Sequence, residues 1–266
     1  MRNDYADVFQ DTAAVERYES VEYAPDGYAA AINRRQRAYL RDLVGRSFET
    51  RRPVQHDFAC GTGRALRALH GMVRGAHGYD SSPAMLAKAD ELGALAELHR
   101  VDATGPVPSP VATDSPAIVT VFRLLLNAGD EVRERAIAFA ARVLPHQEAG
   151  LLVVENHGNR GSARHLRHRR HVGEPWFAEL SHEEVTTLLA RYGFSIVERR
   201  GFSVLTRGWY DRRWLRPVAT VVDNVATRVP ALSRYCVNVL YVARRTVPQV
   251  APPRVQPPPH PDATTW

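Results

Sequence analysis

Residues 54–69 read VQHDFACGTGRALRAL: an apolar strand, a Gly-X-Gly turn and the start of a helix. In an open parallel sheet, ligands bind beyond the carboxyl ends of the strands near the topological switch point, and the first such turn usually carries them. Gly61 and Gly63 let the backbone turn sharply and let a ligand approach where a Cβ would collide. The exposed amides at the helix start favour a carboxylate or a phosphate. The neighbours narrow the choice. A dinucleotide fold would place a small residue where Leu66 stands. Asp57, ahead of the glycines, would repel a pyrophosphate and suits a ligand with an ammonium group. There is no Gly-Lys-Ser/Thr, which excludes a P-loop.

Outward from this turn, strand and helix signals alternate. Strands are expected at about 53–58, 73–79, 96–101, 117–122 and 150–155, with helices at about 63–71, 83–93 and 130–144 between them. Ser82 before Pro83 reads as an N-cap followed by proline at the first helical position. Ser181 with Glu184 reads as a capping box opening a helix at about 182–192, closed by Gly193. A strand at about 194–200 follows, and VNVLYVA, Val237 to Ala243, forms the last one. Upstream, residues 33–44 are helical, with Ile32, Gln36, Tyr39, Leu40 and Leu43 sharing one side. Between the last two strands, Leu215, Val218, Val222, Val225 and Val229 recur at helical spacing behind Trp209, Tyr210 and Trp214. That helix is expected to pack on the core, the other readings being a cover over a greasy pocket or an interfacial membrane contact. Pro217 marks its beginning or a kink. Strands joined by helical crossovers predict a mainly parallel sheet covered on both faces, the doubly wound class.

DFACGTG resembles motif I of the class I S-adenosylmethionine-dependent methyltransferases, written (D/E)xGxGxG, with Ala59 where the first Gly is common. The acid that ends the second strand in that family, and binds the ribose hydroxyls, matches Asp80 in HGYDSSPAML. RVDATG places Asp102 and Ala103 where family members present an acid and the next amide to the adenine. The resemblance covers about residues 35–156. It implies an α/β, doubly wound, mainly parallel seven-stranded sheet of the Rossmann-like methyltransferase kind, with an N-terminal helical cap. It also implies S-adenosylmethionine as cofactor, held by Asp57, Ala59, Gly61, Gly63, Asp80, Ser81, Asp102, Ala103 and Phe122. The expected organisation is a cap or lid over residues 1–32 and one domain over 33–246 with a basic insert at about 157–179. A disordered Pro-rich tail over 247–266 completes it.

In this family the acceptor meets the methyl group beyond strands four and five, under the N-terminal segment and inserts around strand six. Strand four runs into VTVFRLLLNAGDE, and its Phe122-Arg123 pair followed by Asn127 resembles some bacterial small-molecule methyltransferases. Arg123 either binds an anionic group of the acceptor or caps the strand, and Asn127 either contacts substrate or caps the next helix. Strand five ends in VVENHGNRG, where His157 is either a general base or a polar loop residue. The following RGSARHLRHRRH contains Arg160, Arg164, Arg167, Arg169 and Arg170 with His165, His168 and His171. It is a solvated basic loop or a lid that draws in an anionic substrate. No acidic or thiol partners stand near these histidines, so no metal is expected. Tyr18 and Tyr28, with Tyr5 and Tyr23, are expected at the acceptor pocket by analogy with the family's capping segments.

Of the 266 residues 44% are hydrophobic and 24% charged, an ordinary globular balance. The net charge of +6 rests on arginine, Lys88 being the single lysine, which looks like the coding bias of a GC-rich genome. It is weak evidence for nucleic acid, and neither an RNA-binding module nor base-stacking aromatics accompany it. Cys60 and Cys236 are far apart and belong to no metal or disulfide pattern, which fits a reduced cytoplasm. The N-terminal stretch MRNDYADVFQD is polar and does not resemble a signal peptide, and no uncharged apolar run is long enough to span a bilayer, so no transmembrane span is expected. The expected protein is a cytoplasmic methyltransferase of bacterial specialised metabolism, acting on O, N or C of a small molecule, anionic or apolar. His157 and Arg123 are its candidate catalytic residues and Tyr18, Tyr28 and Asn127 its candidate substrate contacts. An RNA methyltransferase and a non-catalytic cofactor-binding partner are the alternatives, and a homodimer is left open.

Overall fold

The computed structural model describes residues 9–22, 27–49, 51–162, 164–165 and 179–246. Its strands are β1 (Val54–Phe58), β2 (Gly75–Asp80), β3 (Glu97–Arg100), β4 (Ala117–Val121), β5 (Gly150–Asn156), β6 (Phe194–Phe202) and β7 (Asn238–Arg245). They form one seven-stranded sheet in the order β3-β2-β1-β4-β5-β7-β6. β1 to β5 pair in parallel, whereas β7 runs antiparallel to both β5 and β6. The chain leaves β1 towards β2 and β3, then returns to lay β4 on the other side of β1. Ligands bind at such a reversal.

Successive residues of a strand point to opposite faces, and here both faces are covered. In β4, Val119 and Val121 join one core with Phe139 of α5 (Asp130–Val143) and Leu189 of α6 (His182–Arg191). Ile118 joins the other core with Leu40 and Leu43 of α2 (Tyr28–Ser47) and Leu69 of α3 (Arg64–Leu69). α4 (Pro83–Glu91) has Ser82 as its N-cap, accepting from the Met85 amide at 3.0 Å, and α6 carries the Ser181–Glu184 capping box. A smaller apolar cluster of Phe9, Val15 and Met85 ties α1 (Thr12–Glu22) to α4.

Two expectations change. The helix read over 33–44 begins earlier, at Tyr28, because Gly27 supplies an extended N-cap and Ala29, Ala30 and Ala31 favour the helix. It runs unbroken through the boundary expected at residue 32. The second change is in α8 (Arg216–Arg228), where Pro217 does mark the start, as expected. Its inward face is Ala219, Asp223 and Ala226, while Val218, Val222, Val225 and the following Val229 are exposed. The buried Asp223 explains the rotation. It accepts from the Tyr210 hydroxyl at 2.6 Å, the Ser203 hydroxyl at 2.8 Å and the amides of Val204 and Leu205 at 2.8 and 3.1 Å. Turning the valines inward would forfeit that network. Trp214, ahead of the helix, is exposed as well. The Pro-rich tail, Tyr5, Tyr23, and Arg167, His168, Arg169, Arg170 and His171 of the insert lie outside the described residues.

Candidate active site

Beyond β1 the chain turns through Ala59 (φ 57), Gly61 (φ 53) and Gly63 (φ 76) into α3. A Cβ on Gly63 would stand 2.8 Å from the Cβ of Ala94 and 3.2 Å from that of Ala89, so only glycine lets the turn seat against α4. Ala59 adopts a left-handed conformation that costs an L-residue about 1–2 kcal/mol. It does so where the family motif has glycine. Hydrogen bonds hold the turn: the Cys60 amide donates to the Tyr79 carbonyl at 3.1 Å, and the Gly61 amide to Asp80 Oδ2 at 2.8 Å. Asp80 Oδ1 accepts from the Ser82 amide at 2.9 Å, so both carboxylate oxygens are pinned at the end of β2. Burial raises the Asp80 pKa, against the amides of Ser82, Gly61 and Ser81 that favour the anion.

A cavity of about 240 Å³ opens over these strand ends. Ala59, Gly61, Asp80, Ser81, Asp102, Ala103 and Phe122 line it, and so does Tyr18. Asp57 and Gly63 do not; they stand behind the lining. Asp57 is buried, accepts from the Thr120 hydroxyl at 2.6 Å and is pushed by burial up to about 7. Asp102 is oriented by Thr104, whose amide and hydroxyl donate to Oδ1 at 2.9 and 3.1 Å and lower its pKa. Phe9 and Tyr18 close the cavity from the N-terminal side, packed edge to face at 5.2 Å. The Ser82 hydroxyl donates to the Phe9 carbonyl, the Thr62 hydroxyl donates to Glu19, and Lys88 pairs with Glu16 at 2.6 Å.

A second cavity of about 530 Å³ adjoins the first. Arg64, Arg123 and Asn127 line both. Tyr28, Ile32, His157, Arg164 and Arg207 line only the second. Behind the shared wall stands Glu155, fully buried in β5. Its Oε1 accepts from Gln36 Nε2 at 2.7 Å and Asn238 Nδ2 at 3.1 Å, and its Oε2 from Arg64 Nη2 at 2.8 Å and the Arg123 amide at 3.1 Å. Burial alone would raise the Glu155 pKa, but Arg64, His157 and Arg123 hold it at about 2. Arg123 has φ 58, a second left-handed non-glycine, and its carbonyl accepts from Asn127 Nδ2 at 2.8 Å. Backbone strain of this kind persists where surrounding bonds over-determine it.

His157 is buried, and burial first, then Arg123, drives its pKa well below the ordinary imidazole value. Its Nε2 lies 3.4 Å from Asn127 Nδ2, and its buried Nδ1 has no hydrogen-bond partner among the described residues. In the insert, Arg164 Nη1 donates to the His157 carbonyl at 3.1 Å, and His165 Nδ1 meets Glu179 Oε2 at 2.8 Å. Arg160 instead turns outward to Glu184 at 3.1 Å. Away from both cavities, His77, Glu97 and His99 bring one ligand atom each within 4.8 Å of one another at the β2–β3 edge and could hold a metal ion.

Sequence reading missed Glu155 and Arg64. Glu155 had a signal, an acid inside the apolar run LLVVE where a doubly covered strand should stay apolar. Arg64 had none, being one arginine among many.

Residues 56–147 match a family model described as a methyltransferase domain. Comparison with curated protein sequences finds no match. Among solved structures, the magnesium protoporphyrin IX methyltransferase of Synechocystis PCC 6803 with bound S-adenosylhomocysteine shares 13% identity at a TM-score of 0.58, covering 91% of this chain and 97% of that one. The plantazolicin methyltransferase BamL shares 14% identity at a TM-score of 0.55, covering 88% and 90%. A possible histamine N-methyltransferase of Thermotoga maritima shares 16% identity at a TM-score of 0.53, covering 90% and 98%. These likenesses concern the fold. A pinned carboxylate at the end of β2, a glycine turn and the apolar side chains of Phe9 and Tyr18 surround the first cavity. Sheet order, the cavity over the switch point and the match over residues 56–147 together establish that the chain carries a class I S-adenosylmethionine-dependent methyltransferase domain.

Proposed function

We propose that this enzyme methylates a small molecule held in the second cavity. The observation that carries the reading is the common wall: Arg64, Arg123 and Asn127 line both cavities, so a molecule in one lies beside a molecule in the other. When bound, S-adenosylmethionine supplies an electrophilic methyl group on a sulfonium. The chain contributes position. Asp80 receives the ribose hydroxyls, Asp102 and the Ala103 amide face the adenine, and Gly61 and Ala59 form the floor of the turn. Ser81 and Phe122 complete the lining, while Asp57 and Gly63 act from behind, through the turn. Tyr28, Asn127, Arg123 and His157 receive the acceptor, and Tyr18 covers the donor. A cavity walled by α2 and the start of α7 (Arg207–Asp211) suits a compact acceptor better than a duplex. No described helix is long and apolar enough to cross a membrane.

Calorimetry with S-adenosylmethionine tests the donor side. Asp80→Ala is expected to weaken binding about 10–100-fold, the loss of hydrogen bonds to a charged group. Unchanged affinity would remove Asp80 from the site. Steeply salt-dependent retention of RNA, with methyl transfer to it, would replace the small-molecule reading.

A further inference from the structure

We propose that the β2–β3 edge of the sheet is a metal site, in which His77, Glu97 and His99 bind one divalent transition-metal ion such as zinc. It stands apart from both cavities and does not depend on the acceptor reading.

The parallel register sets His77 beside Glu97 and Tyr79 beside His99. Residues two apart on a strand share a face, so all four project from one side of the sheet. His77 Nδ1 lies 3.3 Å from Glu97 Oε2 and 3.3 Å from His99 Nε2. One ligand atom from each residue falls within 4.8 Å of the other two. Two ligands at about 2.0–2.1 Å from a tetrahedral ion stand about 3.3–3.4 Å apart. Two edges of the ligand triangle therefore already have the length such an ion requires. The third closes by rotation of the Glu97 side chain, which is 73% exposed.

Hydrogen bonding leaves this arrangement incomplete. A neutral His77 carries either a proton or a lone pair on Nδ1, and an ionised Glu97 only accepts. With the proton in place, Nδ1 can point it at one of its two neighbours. Without it, Nδ1 faces the carboxylate lone pair to lone pair. An ion at the centre takes a lone pair from all three atoms.

The imidazoles are held by packing. His77 stacks on the buried His56 at 5.2 Å between centroids, and His99 stacks on Tyr79 at 4.9 Å. The Tyr79 hydroxyl meets His56 Nδ1 at 3.2 Å, which ties the two stacks together. Ligands fixed on strands in this way give a site its geometry. Two imidazoles and one carboxylate suit zinc, cobalt or nickel, whereas magnesium and calcium take oxygen ligands. Three protein ligands leave the fourth position to water. His77 precedes Asp80 on β2, and His99 on β3 precedes Asp102. A bound ion would thus clip the short edge strand to its neighbour, upstream of the two acids that line the first cavity.

The test uses the full chain without an affinity tag, stripped of metal by chelator and dialysis. By calorimetry zinc is expected to bind with a Kd below about 10 µM, and cobalt should give the intense visible bands of a four-coordinate ion. Glu97→Gln, a change at an exposed side chain, and His99→Gln should each weaken zinc binding about 10–100-fold and remove those bands. Glu97→Gln decides alone if His99→Gln folds poorly. A triple variant of the basic insert, His165→Ala with His168→Ala and His171→Ala, should behave as wild type. Zinc at a hundred-fold excess over Kd should raise the Tm of the wild type by about 5 °C or more, and that of Glu97→Gln by much less. Zinc binding weaker than about 10 µM, or equal binding by wild type and Glu97→Gln, overturns the site. So does loss of binding in the insert variant, which would put the ion on the insert histidines.

Discussion

Glu155 joins five parts of the chain through one side chain. Gln36 of α2, Arg64 of α3, the Arg123 amide after β4 and Asn238 of β7 all converge on the carboxylate that β5 carries. Its pKa is about 2 in the folded protein against an ordinary 4.5. A depressed acid contributes stability that is present above 4.5 and lost as pH falls towards 2. Removing one partner of a buried charge pair costs about 3–5 kcal/mol. Glu155→Gln should therefore cost about 3 kcal/mol at neutral pH, the penalty shrinking as pH falls below the ordinary glutamate value. Urea unfolding of both proteins across that range checks it, and a penalty independent of pH would refute the ionised assignment. The acid was legible in the sequence as an oddity in an apolar strand; its partners, scattered along the chain, were not.

α8 illustrates what periodicity can and cannot tell at the scale of an element. Valines three and four apart identified the helix, and Pro217 its start. The side facing the protein was misread, because the apolar stripe points outward and a polar network claims the inner face. Asp223→Ala leaves the amides of Val204 and Leu205 without their acceptor, removes one acceptor each from Ser203 and Tyr210, and should cost about 3–5 kcal/mol, as breaking a buried polar network does. Val222→Thr, on the exposed side, should stay within about 0.5 kcal/mol of wild type. Scanning calorimetry of the two variants decides, and the reverse order would mean that the valine face is covered in solution. The left-handed Ala59 and Arg123 belong to this scale too, each following the end of a strand at the edge of the first cavity.

For the whole molecule, α1 packs through its own small cluster on Met85, apart from the two cores that sandwich the sheet. Removing residues 1–22 should leave a cooperatively folding domain. Its affinity for S-adenosylhomocysteine should fall about ten-fold or more, since Phe9 and Tyr18 no longer cover the cavity. Calorimetry on the truncated chain measures this, and undiminished affinity would show that α1 is not a lid. By itself the sequence determined the doubly wound sheet, the strand–turn–helix at its switch point and the donor. Those rest on local signals: apolar periodicity, caps, and glycines at fixed spacing. Which residues meet across the sheet was decided only by the tertiary structure. Gln36, Arg64, Arg123, Glu155 and Asn238 come from separate elements. The second cavity likewise exists only where α2, the loops after β4 and β5 and the start of α7 close on one another. Such contacts depend on long-range packing, and no spacing along the chain encodes them.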